Sequence, residues 1–112
     1  MEELLHYVWK HKLFTLKPLQ TTDGQPIEII DPGLANMHAG PDFFNAKIKI
    51  NDVTWVGNIE IHQQASDWFR HNHHLDPTYD SVILHVASDI DAVPTRSNGE
   101  IIPQMELNYP PY

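Results

Sequence analysis

Cysteine is absent from this chain of 112 residues, which excludes several kinds of chemistry at once. Without thiols there is no disulfide framework, no cysteine-ligated zinc, no iron–sulfur cluster and no cysteine nucleophile. Any bound metal must therefore be held by histidine, aspartate or glutamate side chains. A chain without disulfides is compatible with a reducing compartment, and we expect a cytoplasmic protein.

Positive charge and long apolar runs are also scarce. Lysine and arginine number seven against fifteen aspartates and glutamates, for a net charge of −8. Most of this charge lies in residues 51–112, where two arginines oppose nine acids for −7, and residues 1–50 contribute −1. The balance argues against a broad basic surface for duplex binding. The apolar runs are far shorter than the roughly 20 residues that span a bilayer, so we expect no membrane partner.

The composition is nevertheless that of a folded domain. Hydrophobic residues make up 41% of the chain and include three Trp, four Tyr and four Phe. This much apolar material disfavours disorder, and the length suits a single core, so we expect residues 1–112 to form one domain. Because residues 109–112 add no closing element, we also expect the domain to be the N-terminal part of a longer protein, with a C-terminal region missing.

The hydropathy pattern predicts a sequence of helices and strands. Apolar residues recur at helical spacing in residues 2–12 and alternate with polar ones in residues 44–50 and 53–62. The full prediction is a helix at 2–12, strands at 27–30, 44–50 and 53–62, a helix at 66–70 capped by Ser66, a buried strand at 81–87, and a hairpin of 92–96 with 101–107 around Asn98-Gly99. This order predicts an α+β domain whose mixed or mostly antiparallel sheet is flanked by two helices.

Two local features are predicted around the central hairpin. Residues 34–42 lose any regular period and are predicted to be a shaped loop. In the strand that follows, Phe44, Ala46 and Ile48 are predicted to share one face of the sheet.

Two acidic residues fall at the same end of the predicted central hairpin. Asp42 immediately precedes its first strand and Glu60 lies near the end of its second. Two converging carboxylates can hold a hard divalent cation, Mg²⁺ or Mn²⁺, through oxygen ligands. Such an ion can activate water and neutralise charge on a phosphate that is being cleaved. His62, two residues beyond Glu60, shares its strand face and completes the candidate site.

These residues carry a resemblance to a known superfamily. Pro41-Asp42, followed eighteen positions later by Glu60-x-His62 on the predicted elements, resembles the PD-(D/E)XK nucleases. The resemblance covers residues 1 to about 88. It implies a restriction-endonuclease-like core, a catalytic metal on Asp42 and Glu60, and nucleic acid as the substrate. His62 stands where that superfamily has a lysine that orients the attacking water and offsets developing charge.

Other side chains can assist such a site. An imidazole at His62 can accept a proton or bind metal when neutral, and can replace the lysine charge when protonated. Three further side chains are candidates for contact with substrate or water: Lys47, Lys49 and Gln64. Gln63 is an alternative to Gln64, and a third carboxylate can come from Glu3 or Glu28.

A second resemblance spans nearly the whole chain. It rests on four segments, which are Ala39–Phe43, Gly57–His62, Asp67-Trp68 and Leu84–Val86. These segments are similar to an uncharacterised bacterial family, a domain of unknown function whose members are longer than this chain. This resemblance implies no established activity.

Two other functions compete with a metal-dependent nuclease. One is a non-catalytic module with the nuclease fold, serving in binding or assembly, which the missing lysine and the acidic second half favour. The other is a small cupin-type barrel that binds a metal through His62 and His85, although no His-x-His with a downstream Glu at fitting spacing supports it.

Each candidate residue also has a structural interpretation. Asp42 can be a turn or capping residue, and the two lysines can form a solvated strand face. His85, in an apolar run, is typical of a hydrogen-bonded core histidine. Three more histidines follow the second predicted helix: His71, His73 and His74. They lack the i, i+4 spacing of a helical metal pair, so they are predicted to lie in an exposed loop.

Overall fold

A single mixed sheet organises the part of the chain that the computed structural model describes, residues 2–13 and 18–108. The elements in chain order are α1 (Glu2–Lys10), β1 (Ile27–Asp31), β2 (Leu34–Ala35), β3 (Phe43–Ile50), β4 (Val53–Gln64), α2 (Asp67–Arg70), two 3₁₀ turns (His73–Leu75 and Pro77–Ser81), β5 (Val82–Asp89) and β6 (Gln104–Glu106). The α+β class is confirmed. The predicted unclosed end at residues 109–112 lies outside the described residues. Within the described ranges, no helix has the length and apolar character needed to cross a bilayer.

The sheet changes direction at β4. Its order is β1-β3-β4-β5-β6, with β2 beside β3. The β1–β3 and β3–β4 pairs are antiparallel, whereas β4–β5 and β5–β6 are parallel. The first six residues of β5 are buried, as a strand with parallel neighbours on both sides requires. The predicted buried strand is therefore confirmed.

Helix α1 covers one face of the sheet. Its buried side chains are Leu5, Val8 and Trp9, and they join a core that includes Ile59 and Ile61 of β4. The indole Nε1 of Trp9 donates to the carbonyl of Pro32 at 2.9 Å, which ties the helix to the turn after β1. The helix ends at Lys10, two residues before the predicted end, and Lys12 has a positive φ of 53° that a continuing helix does not allow.

A bulge at the start of β3 changes the predicted alternation. Phe43, not Phe44, shares the buried face with Ala46, because the register shifts between Phe43 and Ala46. Asn45 in the bulge has a φ of 58°. A bulge adds one residue and so reverses the face on which the preceding side chains lie, which is why the prediction for Phe44 is wrong. The predicted loop also contains β2, which pairs with Phe43 and Phe44.

The predicted C-terminal hairpin is wrong. The turn forms, with the amide of Arg96 donating to the carbonyl of Glu100 at 2.8 Å, but pairing beyond it is limited to one bridge between Thr95 and Ile101. Pro94 and Pro103 lack the amide hydrogen that an extended ladder needs. Strand β6 instead pairs in parallel with β5.

Helix α2 lies against the opposite face of β4, close to the histidines described below. Ser66 at its N-terminus makes no side-chain capping bond. Its hydroxyl donates to Asp91 Oδ2 at 2.7 Å instead, so the predicted cap is wrong. Trp68 of this helix is fully buried, and its Nε1 donates to the carbonyl of Thr95 at 2.9 Å.

The bulge generates a testable prediction at Gly33. A Cβ added there meets the Phe44 carbonyl oxygen at 2.7 Å, whereas one added at Gly24 meets nothing within 4 Å. Both glycines have φ near 90°, so both alanine variants incur a left-handed penalty of roughly 1–2 kcal/mol. We expect Gly33→Ala to lower the free energy of unfolding in urea by about 2 kcal/mol more than Gly24→Ala. Equal losses in the two variants would contradict this account.

Candidate functional site

The candidate site lies where β4 extends past the start of β3. Pairing between these strands ends at Phe43 and Ile59, so the following residues of β4 have no partner on that side. Asp42 occupies the gap, and its Oδ2 accepts a hydrogen bond from the amide of Ile61 at 2.8 Å. The amide of Asp42 in turn donates to Glu60 Oε1 at 3.2 Å. The two carboxylates identified in the sequence are therefore neighbours, and Asp42 also serves as a cap for the strand edge.

Glu60 is the most buried acid in this group, with only 4% of its surface exposed. Its Oε2 lies 3.1 Å from His62 Nε2 and 3.0 Å from His73 Nε2. Burial on its own raises the pKa of Glu60, but its close contacts with the two imidazoles and the charge of His62 outweigh it and lower the pKa to about 2. Glu60 is therefore an ionised carboxylate in a buried setting.

Asp42 is more accessible and is accompanied by two residues of α1. Its side chain is 22% exposed, and His6 Nε2 lies 3.5 Å from Oδ2. Burial raises the pKa of Asp42 and that of Glu2, while the Asp42 carboxylate raises the pKa of His6. Glu2 and His6 lie on the same helix face because they are four residues apart. The i, i+4 spacing is the signal by which the sequence could have identified them.

The third carboxylate near the site is thus Glu2, not one of the two alternatives considered from the sequence. Glu3 is exposed on α1, and Glu28 is exposed on β1, where it pairs with Lys49 of β3. The charge of Glu2 interacts with those of Asp42 and Glu60.

A chain of buried hydrogen bonds fixes the orientation of His62. Gln104 Nε2 donates to the carbonyl of Ala92 at 3.0 Å, so Gln104 Oε1 is the acceptor for His85 Nδ1 at 2.7 Å. His85 Nε2 then accepts from His62 Nδ1 at 2.8 Å. Burial lowers the pKa of His85 to about 4, which keeps it neutral as this arrangement requires. The other nitrogen of His62 is thereby directed at Glu60.

His85 uses both of its ring nitrogens in this chain. It is a hydrogen-bonded core histidine, as its position in an apolar run predicts. A metal site of cupin type on His62 and His85 is therefore wrong, because His85 has no nitrogen left for a metal.

The histidines that follow α2 are not all in an exposed loop. His73 is only 7% exposed, and its ring stacks on Tyr79 with a centroid distance of 3.7 Å. His71 is exposed and His74 is partly buried. The prediction is wrong for His73 because Trp68 and Tyr79 enclose its ring, a tertiary contact that local spacing does not reveal. The ring nitrogens of His62, His71 and His73 lie within 4.8 Å of one another.

The three candidates for substrate contact lie outside this cluster. Lys47 and Lys49 lie five and seven residues beyond Asp42 on β3, which corresponds to about 16–23 Å along an extended strand. They pair in register with Asp31 and Glu28 of β1. Gln64 lies two residues beyond His62, and its Oε1 accepts from Arg70 Nη1 at 2.8 Å. The structure brings together Asp42, Glu60 and His62, and places the two lysines elsewhere on the sheet.

Comparison with known proteins gives one match. The family described as "Protein of unknown function (DUF2851)" matches residues 2–111. No curated protein and no solved structure matches the chain. The match confirms the expectation of a domain of unknown function, and it assigns no activity.

The neutral state of His85 generates a prediction on pH. Its folded pKa of about 4 lies below the ordinary 6.5, so between these values the unfolded chain binds more protons. The free energy of unfolding of metal-free protein should therefore fall as pH drops from 6.5 to 4, with about 3 kcal/mol of this loss due to His85. In urea denaturation, we expect the free energy of unfolding of His85→Gln to fall by about 3 kcal/mol less than that of wild type over this pH range. The control, His38→Gln, alters an exposed histidine and should lose as much as wild type. Parallel pH profiles for wild type and His85→Gln would disprove the assignment.

Proposed function

We propose that this chain, which belongs to the DUF2851 family of proteins of unknown function, is a metal-dependent phosphodiesterase domain that acts on nucleic acid. The observation that carries the proposal is the reciprocal contact of Asp42 and Glu60 across the overhang of β4. Two acids from distant parts of the chain meet there beside a histidine that is held in one orientation.

The order of elements supports this function. Three antiparallel strands, β1, β3 and β4, are followed by α2 and by β5, which is parallel to β4. Helix α1 precedes them, so that, apart from the short added strand β2, the chain follows the helix-strand-strand-strand-helix-strand order that the resemblance to PD-(D/E)XK nucleases implies. Pro41-Asp42 lies directly before β3 and Glu60-x-His62 lies on β4, as the PD-(D/E)XK pattern requires.

The donor atoms suit a divalent cation held by Asp42 and Glu60. Carboxylate oxygens are the ligands that Mg²⁺ and Mn²⁺ prefer, and the adjacent imidazoles make Mn²⁺ the better fit of the two. When bound, such an ion supplies Lewis-acid activation of a phosphoryl oxygen and of water. Ionised Glu60 and partly exposed Asp42 provide negative charge for it.

His62 and the two lysines are protein side chains that can assist the reaction directly. The Nε2 atom of His62 is oriented by His85 and can hold or accept a proton beside Glu60, in place of the superfamily lysine. Lys47 and Lys49 are candidates for contact with the nucleic-acid backbone at a distance from the reacting phosphate, and Gln64 for contact with water.

A non-catalytic module for binding or assembly is the alternative, and a specific observation favours it. Glu60 is 4% exposed, and Asp42 Oδ2 already accepts the amide of Ile61. Both groups thus have structural partners, as they would in a nuclease fold that has lost its activity.

Nuclease assays test the two candidates. With Mn²⁺ present, we expect wild type to cleave at least one of single-stranded and duplex DNA and RNA, and we expect EDTA to abolish cleavage. Asp42→Asn and Glu60→Gln should lower the rate by at least about 100-fold, because each removes a carboxylate that would hold the cation, and the cation stabilises the negative charge of the transition state. Asp52→Asn, which changes an exposed acid in the β3–β4 turn, is the matched control and should keep the wild-type rate.

The results of these assays distinguish the phosphodiesterase from the non-catalytic module. Cleavage that survives EDTA or both site variants overturns the proposed site. Absence of cleavage of every substrate by folded wild type supports the non-catalytic module.

A further inference from the structure

We propose that His62, His71 and His73, together with Glu60 Oε2, form a binding site for a borderline transition-metal ion such as Zn²⁺. The inference goes beyond the proposed phosphodiesterase, because it uses the histidine side of Glu60 and does not require Asp42. It rests on four observations: the spacing of the donor atoms, an unpartnered buried nitrogen, the support behind His62, and access from solvent.

The spacing of the donor atoms suits one small ion. The ring nitrogens of the three histidines lie within 4.8 Å of one another, and Glu60 Oε2 lies 3.0–3.1 Å from two of them. Ligands at about 2.0–2.1 Å from a tetrahedral Zn²⁺ are about 3.3 Å apart. The three histidine nitrogens must therefore approach one another by up to about 1.5 Å to surround an ion, whereas Glu60 Oε2 is already close to two of them.

His73 has a buried nitrogen that the protein leaves unsatisfied. The side chain is 9% exposed, and its Nε2 makes no hydrogen bond within the described residues. The oxygen of Glu60 lies 3.0 Å away without the alignment of a hydrogen bond. A buried donor or acceptor without a partner costs about 1–3 kcal/mol, and a metal ion between His73 and Glu60 would satisfy both.

His62 has the support that a metal-binding histidine needs. Its Nδ1–H donates to His85, which is held by Gln104, so the proton lies on Nδ1 and Nε2 presents a lone pair when the ring is neutral. That lone pair faces the Glu60 carboxylate at 3.1 Å, an arrangement that is repulsive unless a proton or cation lies between them. Outer partners of this kind fix the tautomer and orientation of metal-ligating histidines.

His71 gives the site access to solvent. It is exposed, follows the last residue of α2, and its ring packs edge-on against both His62 and His73. An ion can therefore reach the two buried rings from this side. Three imidazoles and one carboxylate favour Zn²⁺ or Co²⁺ over Mg²⁺, which prefers oxygen ligands.

Calorimetric titration of ZnCl₂ into EDTA-treated, full-length chain tests the inference. We expect one Zn²⁺ per chain, and we expect His71→Ala and His73→Gln each to weaken binding by at least about 100-fold, which is the upper end of the loss seen when only an outer partner of a ligand is removed. His38→Gln removes an exposed histidine outside the cluster and should bind Zn²⁺ like wild type. The visible absorption of Co²⁺ should report tetrahedral coordination in wild type and His38→Gln, and this signal should be lost in His71→Ala and His73→Gln.

The design remains decisive if His73→Gln does not fold, because His71 is exposed and its variant should melt like wild type. Absence of Zn²⁺ binding by wild type, or binding that His71→Ala leaves unchanged, overturns the proposal. Asp42→Asn should retain Zn²⁺ binding while losing Mn²⁺-dependent cleavage, and loss of Zn²⁺ binding in this variant also overturns it. Cleavage without Zn²⁺ binding rejects this site alone, whereas Zn²⁺ binding without cleavage rejects only the phosphodiesterase.

Discussion

The ionised Glu60 carboxylate is the constraint on which the rest of the site depends. An isolated buried charge costs so much free energy that it must be surrounded by donors or cations. Groups from separate segments approach Glu60: the amide of Asp42 before β3 donates to Oε1, and the Nε2 atoms of His62 on its own strand and of His73 after α2 lie 3.0–3.1 Å from Oε2. Each of these segments is held in place partly because the charge requires it.

The unequal lengths of two strands create the space for this arrangement. β4 continues five residues past its last pair with β3, and its other side is covered by β5. The backbone edge left by β3 needs acceptors, which Asp42 supplies, and the middle of α1 brings His6 beside it. The overhang therefore explains why polar groups accumulate at one point of an otherwise apolar sheet.

The sequence predicts the parts of this site that depend on strand periodicity and misses those that depend on packing. The predicted hairpin and the eighteen-residue spacing were enough to predict that Asp42 and Glu60 lie close together. The burial of His73 was not predictable, because it depends on Trp68 and Tyr79, which meet it only in the folded chain. The bulge at Asn45 and the parallel pairing of β6 likewise depend on tertiary contacts that outweigh the local pattern.

At position 62, a histidine satisfies its buried neighbours better than a lysine would. A lysine there would offer one ammonium group and leave His85 Nε2, a buried acceptor, without its present donor. An imidazole has two nitrogens on opposite sides of the ring, so it can bond to His85 on one side and face Glu60 on the other. His62, His85 and Gln104 thus act as one unit, a buried chain that a lysine at position 62 could not complete. The same unit turns Nε2 of His62 toward the carboxylate, where a proton or a metal ion can bridge the two groups.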